Sequence, residues 1–153
     1  MAARRDRILV AGAGIAGLSS ALCFAGRGFD VAVFERAPAF EEIGAGLQLS
    51  PNATRILRDM GLLEALRAIA VEPDAVVLRS ASTLAEIARI PLGRFAEERW
   101  DAPYLTLHRA DLHRILLEAA RASERIALHA GAPVRGFSSD GGRPALAFDG
   151  TRH

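Results

Sequence analysis

Apolar and polar positions along the chain fall into short runs with two different periods. Ile8 to Ala11 is a continuous apolar run ending in glycine, the pattern of a strand buried on both faces of a parallel sheet. Small and apolar residues resume at Ile15 and continue through Phe24, a helix-length segment that Gly26 and Gly28 bring to an end. Asp30 to Glu35, DVAVFE, predicts a second buried strand. Strand, glycine turn, helix and strand in this order make a βαβ unit.

The pattern then changes. Pro51 to Met60 and Leu62 to Ala70 predict two helices split by Gly61. Asp74 to Ser80 and Leu84 to Leu92 alternate loosely, as a hairpin or two strands of a small sheet would. Leu112, Ile115, Leu116, Ala119 and Ala120 stand at i, i+3, i+4, i+7 and i+8, the clearest amphipathic helix in the chain. Asp111 lies at its start, where a carboxylate suits the free amides. Three short strands are expected after it, at Ile126 to His129, Val134 to Ser138 and Ala145 to Phe148, separated by GAP and DGGRP turns. The sequence has no internal repeat, linker or low-complexity tract.

Composition narrows the class without naming a chemistry. With 153 residues, half of them hydrophobic and 24% charged, the chain suits one globular domain with a real core. A formal net charge of +1 gives no reason to expect nucleic acid or an acidic membrane surface as a partner. Every basic residue is arginine, a compositional bias that goes with the abundance of alanine. The single cysteine, Cys23, rules out an internal disulfide and a cysteine metal cluster, and its apolar surroundings suit a small packed side chain. His108, His113, His129 and His153 lack the spacing of metal ligands, and no metal site is expected. Ile8 to Gly26 carries no charge and follows Arg4 and Arg5, so it mimics a signal peptide or membrane span. The glycines and serines that interrupt it, and the amphipathic chain beyond, favour a soluble, cytoplasmic protein without a membrane partner.

The chemistry sits in the turn after the first strand, Gly12-Ala13-Gly14-Ile15-Ala16-Gly17. In a GxGxxG fingerprint the first glycine permits the tight turn, the second lets a pyrophosphate approach the backbone, and the third lets the helix pack closely on the sheet. The helix start, at Ile15 and Ala16, supplies free amides and a partial positive charge. A GxGxxG alone is weak evidence, but here a strand precedes it, a helix follows, and the next strand ends in an acid. That acid is Glu35, eighteen residues beyond Gly17, placed to accept hydrogen bonds from an adenosine ribose. A ribose phosphate at that point would be repelled, which disfavours NADP in this turn. On this motif the ligand is the ADP half of a dinucleotide, with NAD and FAD both open.

Two later stretches discriminate. EEIGAGLQLSPNATRIL, Glu41 to Leu57, adds a second glycine loop at Gly44 and Gly46, followed by Pro51-Asn52 opening a helix; LHRADLHRILLEAA runs from Leu107 to Ala120. With GAGIAGL, FER, GAGLQLSPNA and LHRADLHRIL in this order, the chain resembles the N-terminal portion of the flavoprotein aromatic monooxygenases, the class of salicylate hydroxylase and para-hydroxybenzoate hydroxylase. The resemblance runs from Arg7 to about Gly150. It implies an α/β, Rossmann-like FAD/NAD(P)-binding fold with a parallel sheet, a βαβ start and a small β-rich insertion.

The resemblance also implies residue roles. Gly12, Gly14 and Gly17, with Ile15 and Ala16 at the helix start, would hold the FAD pyrophosphate. Glu35 would bind the adenosine ribose, with Arg36 lining the same site. Gly46 and Leu47 would offer backbone contacts near the flavin and ribityl chain, Arg109 would reach the phosphate and ribityl region, and the Val134 backbone would meet the adenine. Simpler roles stand beside these: a solvated surface charge for Arg36, pairing around Asp111 for Arg109, and loop bonding or helix capping for Gln48 and Asn52. The family's chemistry uses NADH or NADPH as reductant and O2 to place one oxygen atom on a small aromatic substrate, and no side chain of this sequence is required as a nucleophile.

Relatives continue for a few hundred residues beyond FDGTRH, with a GADG-type strand, a later GD segment and most of the substrate sheet. Residues 1–153 therefore read as one incomplete FAD-binding domain with the start of the substrate region at about 74–106. Three readings follow: an N-terminal piece of a hydroxylase, inactive alone; a cofactor-binding module completed by a partner chain or homo-oligomer that covers the incomplete sheet; or an NAD-dependent Rossmann oxidoreductase, against which GAGLQLSPNA and HRADLH argue. The first is the expectation carried forward.

Overall fold

The computed structural model describes residues 7–40, 45–140, 143–148 and 151–152. In chain order the elements are β1 (Arg7–Ala11), α1 (Ile15–Gly26), β2 (Asp30–Phe34), β3 (Gly46–Leu49), α2 (Pro51–Asp59), α3 (Leu63–Arg67), β4 (Ala75–Arg79) and β5 (Glu86–Pro91). They continue with α4 (Arg94–Trp100), β6 (Leu105–His108), α5 (Arg109–Ala122), β7 (Ile126–His129), β8 (Gly136–Asp140), β9 (Arg143–Phe148) and β10 (Thr151–Arg152). The chain divides into two compact units, one of Met1–Ile43 with Leu112–His153 and one of Gly44–Asp111.

The first unit is built on the βαβ start. β1 pairs parallel with β2, Leu9 opposite Ala32 and Val10 opposite Val33, and β7 pairs parallel on the other side of β2. β2 is therefore the central strand of the three. A central strand in a covered parallel sheet has no solvent face, and Val31, Ala32, Val33 and Phe34 are all buried, which is why DVAVF carries no alternation. α1 buries Leu18, Ala21 and Ala25, and the two small alanines let the helix lie close to the sheet. From Leu112 onward α5 belongs to the same unit and buries Leu112, His113, Ile115, Leu116, Leu117 and Ala120, a broad stripe along one side of the helix. Phe34 at the end of β2 stacks on His129 at 4.8 Å between ring centres. β8, β9 and β10 form a separate antiparallel sheet.

The second unit pairs β3 with β6 and β4 with β5, both antiparallel. Its core is Leu49, Leu57, Leu63, Leu66, Leu92, Ala96, Leu105 and Leu107. Thr54 is buried among them at 0% exposure, and its hydroxyl donates to the Pro103 carbonyl at 2.7 Å. The expected hairpin of residues 74–92 is β4–β5, and the two helices split by Gly61 are α2 and α3, with Gly61 at φ +75 where glycine is favoured.

Three features depart from the sequence reading. Gly46 opens a strand and not a loop, because its antiparallel partner lies 62 positions on at His108, beyond any local pattern. α4 was not expected, being only seven residues long. The strand expected from Val134 begins at Gly136. Pro133 has no amide to donate and the Ala132 amide is used on the Glu35 carbonyl at 2.8 Å, so pairing toward β9 starts with Arg135 N to Ala147 O. Among the described residues no helix is long and apolar enough to cross a membrane; the uncharged run from Ile8 to Gly26 is β1, the glycine turn and α1. Arg4, Arg5, Gly44, Gly150 and His153 lie outside the described residues.

Candidate functional site

The glycine turn owes its shape to three different backbone demands. Gly12 has φ +96, a conformation L side chains rarely adopt, and its amide donates to the Phe34 carbonyl at 2.7 Å, tying the turn to the end of β2. Gly17 is a matter of space. A Cβ there would lie 2.0 Å from the Gly12 carbonyl oxygen and 3.4 Å from Val10 Cγ1, so only glycine allows α1 to sit this close to β1. Gly14 is the N-cap of α1, with φ −71 and ψ −178, and a Cβ built on it would meet nothing within 4 Å. The space over Gly14 is open.

That open space faces an unneutralised helix end. The first backbone bond of α1 runs from Leu18 N to Gly14 O at 3.0 Å, so the amides of Ile15, Ala16 and Gly17 precede the intrahelical ladder. α1 has no acidic residue in its first turn and no side-chain cap. Free amides, the positive end of the helix dipole and room for close approach together fit a phosphate or pyrophosphate.

Ala13, between the glycines, is held through both of its backbone groups. Its amide donates to Glu35 Oε2 at 2.8 Å, and its carbonyl oxygen accepts from His113 Nε2 at 2.8 Å. Ala13 is 2% exposed and His113 4%. Since a carbonyl oxygen only accepts, the imidazole carries a hydrogen on Nε2 in this contact. Glu35 also accepts the Ala37 amide on Oε1 at 2.9 Å. The Ala13 amide above all holds the Glu35 carboxyl below its ordinary value, with help from Ala37 and the Arg36 charge and against the opposing effect of burial. A carboxylate offers about four lone-pair sites, more than the amides of Ala13, Ala37 and Arg36 use.

Val134 lies in the loop before β8, half-buried. The loop is laced to the end of β2 by Glu35 N to His129 O, Ala132 N to Glu35 O and Gly131 N to Ala37 O, each at 2.8 Å. Gly12, Gly14, Ile15, Ala16, Gly17, Glu35 and Val134 thus belong to one unit, with Arg36 exposed beside Glu35. Gly46, Leu47 and Arg109 belong to the other. There β3–β6 pairing sets Gly46 opposite His108 and Leu47 opposite Leu107, and the Arg109 amide donates to the Ala45 carbonyl at 3.1 Å. Gly46 and Leu47 line an open groove of about 550 Å³ with Thr106 and His108. Gln48 accepts the Tyr104 hydroxyl at 2.6 Å, and Asn52 accepts the hydroxyl of Ser50, the N-cap of α2, so both have structural partners. Asp111 falls in the first turn of α5, which begins at Arg109. Among the described residues no cluster of three or more His, Cys, Asp or Glu is arranged to hold a metal ion.

His113 is the residue the sequence reading missed, because its spacing fits no metal-ligand pattern and its partner lies far away in the chain. The signal was present: His113, Leu116, Leu117 and Ala120 share the i, i+3, i+4, i+7 stripe of α5, and a polar ring on a buried stripe needs a partner.

Comparison with known proteins gives the family of the chain. Residues 5–149 match the model of a family described as FAD binding domain. The chain is 50% identical over 123 residues to 3-amino-4-hydroxybenzoate 2-monooxygenase of Streptomyces cremeus, covering 80% of this chain and 31% of that protein. It is 39% identical over 147 residues to 3-hydroxybenzoate 6-hydroxylase 1 of Aquipseudomonas alcaligenes, covering 95% of this chain and 37% of the relative. Among solved structures, a tetrameric form of 2-methyl-3-hydroxypyridine-5-carboxylic acid oxygenase superposes with a TM-score of 0.83 at 22% identity, over 98% of this chain and 37% of that one. The chain spans about a third of the length of the curated relatives it matches.

Proposed function

This chain belongs to the FAD-binding domain family, and we propose that it is the N-terminal, FAD-holding part of a monooxygenase that hydroxylates a small aromatic substrate. The observation that carries the cofactor's placement is the open N-terminus of α1: Gly14 leaves space where a Cβ would stand, and no acid in the first turn competes for the amides. In this reading the amides of Ile15 and Ala16 hold the FAD pyrophosphate, Gly12 and Gly17 shape the turn, and the spare lone pairs of Glu35 accept the adenosine ribose hydroxyls. Arg36 lends positive charge beside Glu35, and the Val134 backbone meets the adenine. Gly46, Leu47 and Arg109 serve the ribityl and flavin side. The segment of about 74–106 is the start of the substrate region.

The chemistry a bound flavin supplies is reduction by NADH or NADPH followed by transfer of one oxygen atom of O2 to the substrate. The residues of this chain bind and orient; none is assigned as nucleophile, acid or base. The relatives named above act, by their names, on hydroxybenzoates, which supports an aromatic substrate for the whole protein.

The test is a visible absorbance spectrum of the purified chain after incubation with FAD and desalting. Flavin absorbance eluting with the protein, and lost in Gly14→Ala, is the expected result. A colourless protein that retains NAD instead would overturn the FAD assignment.

A further inference from the structure

We propose that His113 is a positioning residue for the phosphate-binding turn, acting from α5 through the Ala13 carbonyl. The proposal rests on the FAD-binding reading above and deepens it. His113 and Ala13 lie 100 positions apart, yet the imidazole Nε2 meets the carbonyl oxygen at 2.8 Å in buried surroundings. A trans peptide sets its C=O and N–H on opposite sides of one plane. Holding the Ala13 oxygen toward α5 therefore fixes the Gly14 amide on the opposite side. Gly14 itself is exposed, and its amide has no hydrogen-bond partner among the described residues.

Glu35 acts on the preceding peptide in the same way, since gripping the Ala13 amide fixes the direction of the Gly12 carbonyl. That carbonyl is the atom against which Gly17 packs. Two side chains from distant parts of the chain thus hold two consecutive peptide planes, on a turn whose glycines would otherwise allow many conformations. Without the His113 contact the Ala13–Gly14 peptide is free to rotate, and amides that must all face one anion no longer do so together. Affinity for the pyrophosphate then carries the cost of ordering the turn.

The experiment compares the full chain with His113→Leu, which removes the donor, and His113→Gln, whose amide nitrogen can still donate. Leu117→Ala, a core truncation elsewhere on the same helix face, controls for lost stability. Hydrogen exchange at the amides of Gly12 and Ala13, both hydrogen-bonded in the turn of the parent, is read without ligand, and FAD affinity by flavin fluorescence. The expected result is exchange and Kd about tenfold higher in His113→Leu, the equivalent of one lost buried hydrogen bond, with His113→Gln within about threefold of the parent. Leu117→Ala should leave the turn protected. Equal exchange at the turn in His113→Leu and Leu117→Ala would overturn the proposal. So would a His113→Gln variant as unprotected as His113→Leu. If the parent chain holds no FAD while the exchange pattern is as expected, the positioning role stands and the FAD reading fails.

Discussion

The carboxylate of Glu35 accepts the Ala13 amide at 2.8 Å, joining the end of the central strand to the glycine turn 22 residues earlier. An acid at this place in a βαβ unit is ordinarily discussed for the ligand it binds. Here it first holds the protein together. Glu35→Ala leaves the buried Ala13 amide without its partner, at a cost of about 1–3 kcal/mol, and removes the proposed ribose acceptor as well. Both the unfolding midpoint and FAD retention should fall. Glu35→Gln, with one accepting oxygen, should lie between; a melt for Glu35→Ala equal to that of the parent would show the contact to be without weight.

The same contact makes stability depend on pH in a definite direction. The Glu35 carboxyl is lowered from its ordinary 4.5 in the folded chain, chiefly by the Ala13 amide, so the folded state favours the ionised form. Its contribution is complete above the ordinary value and is lost as pH falls from there through the lowered one. Melting curves taken from about pH 7 down to pH 3 should show the parent losing its advantage over Glu35→Gln across that acid window. An advantage constant through the window would contradict the assignment.

Gly14 and Gly17 should separate binding from folding. Gly17→Ala sets a methyl 2.0 Å from the Gly12 carbonyl oxygen, a backbone atom, so strand and helix must move apart at a cost of about 1–3 kcal/mol or more. Gly14→Ala meets nothing within 4 Å and keeps an ordinary φ of −71, so its melt should fall by no more than about 1 kcal/mol, the difference between glycine and alanine at an N-cap. Its methyl nevertheless fills the space an anion would use, and FAD retention should fail. Calorimetry with a desalting assay on both variants checks the contrast; flavin held by Gly14→Ala would move the pyrophosphate elsewhere.

What was legible in the sequence followed from range. The βαβ start is local: an uninterrupted apolar run, three glycines and a second run specify β1, α1 and β2, and the parallel register then makes β2 central. The hairpin of β4 and β5 was legible for the same reason. β3 and β6 were not, since a four-residue strand whose partner stands some sixty positions away carries no period of its own. The glycines of the turn were readable because each answers to a backbone demand, whereas the His113 contact is with a carbonyl oxygen 100 positions away that the fold alone brings within reach. Arg109 and Gly46 could be paired from sequence only by resemblance; the strand pairing that brings their backbones together is a long-range fact.

Thr54 offers a last test, in the other unit. It is fully buried on α2, and its hydroxyl donates to the carbonyl of Pro103, 49 positions later, at 2.7 Å. The residue thus joins the helix after β3 to the segment that leads into β6, the strand with which β3 pairs. Thr54→Val keeps the shape and removes the donor, leaving a buried carbonyl unsatisfied, and should lower stability by about 1–2 kcal/mol in denaturant unfolding. Thr54→Ser keeps the donor and loses a methyl, a cost of about 1 kcal/mol that comes from packing instead. Because the defect lies at a join between α2 and the β6 segment, Thr54→Val should also speed hydrogen exchange in β3 and β6, while Thr54→Ser should leave it slow. Equal exchange in the two variants would mean that packing, and not the hydroxyl, holds that pair of strands.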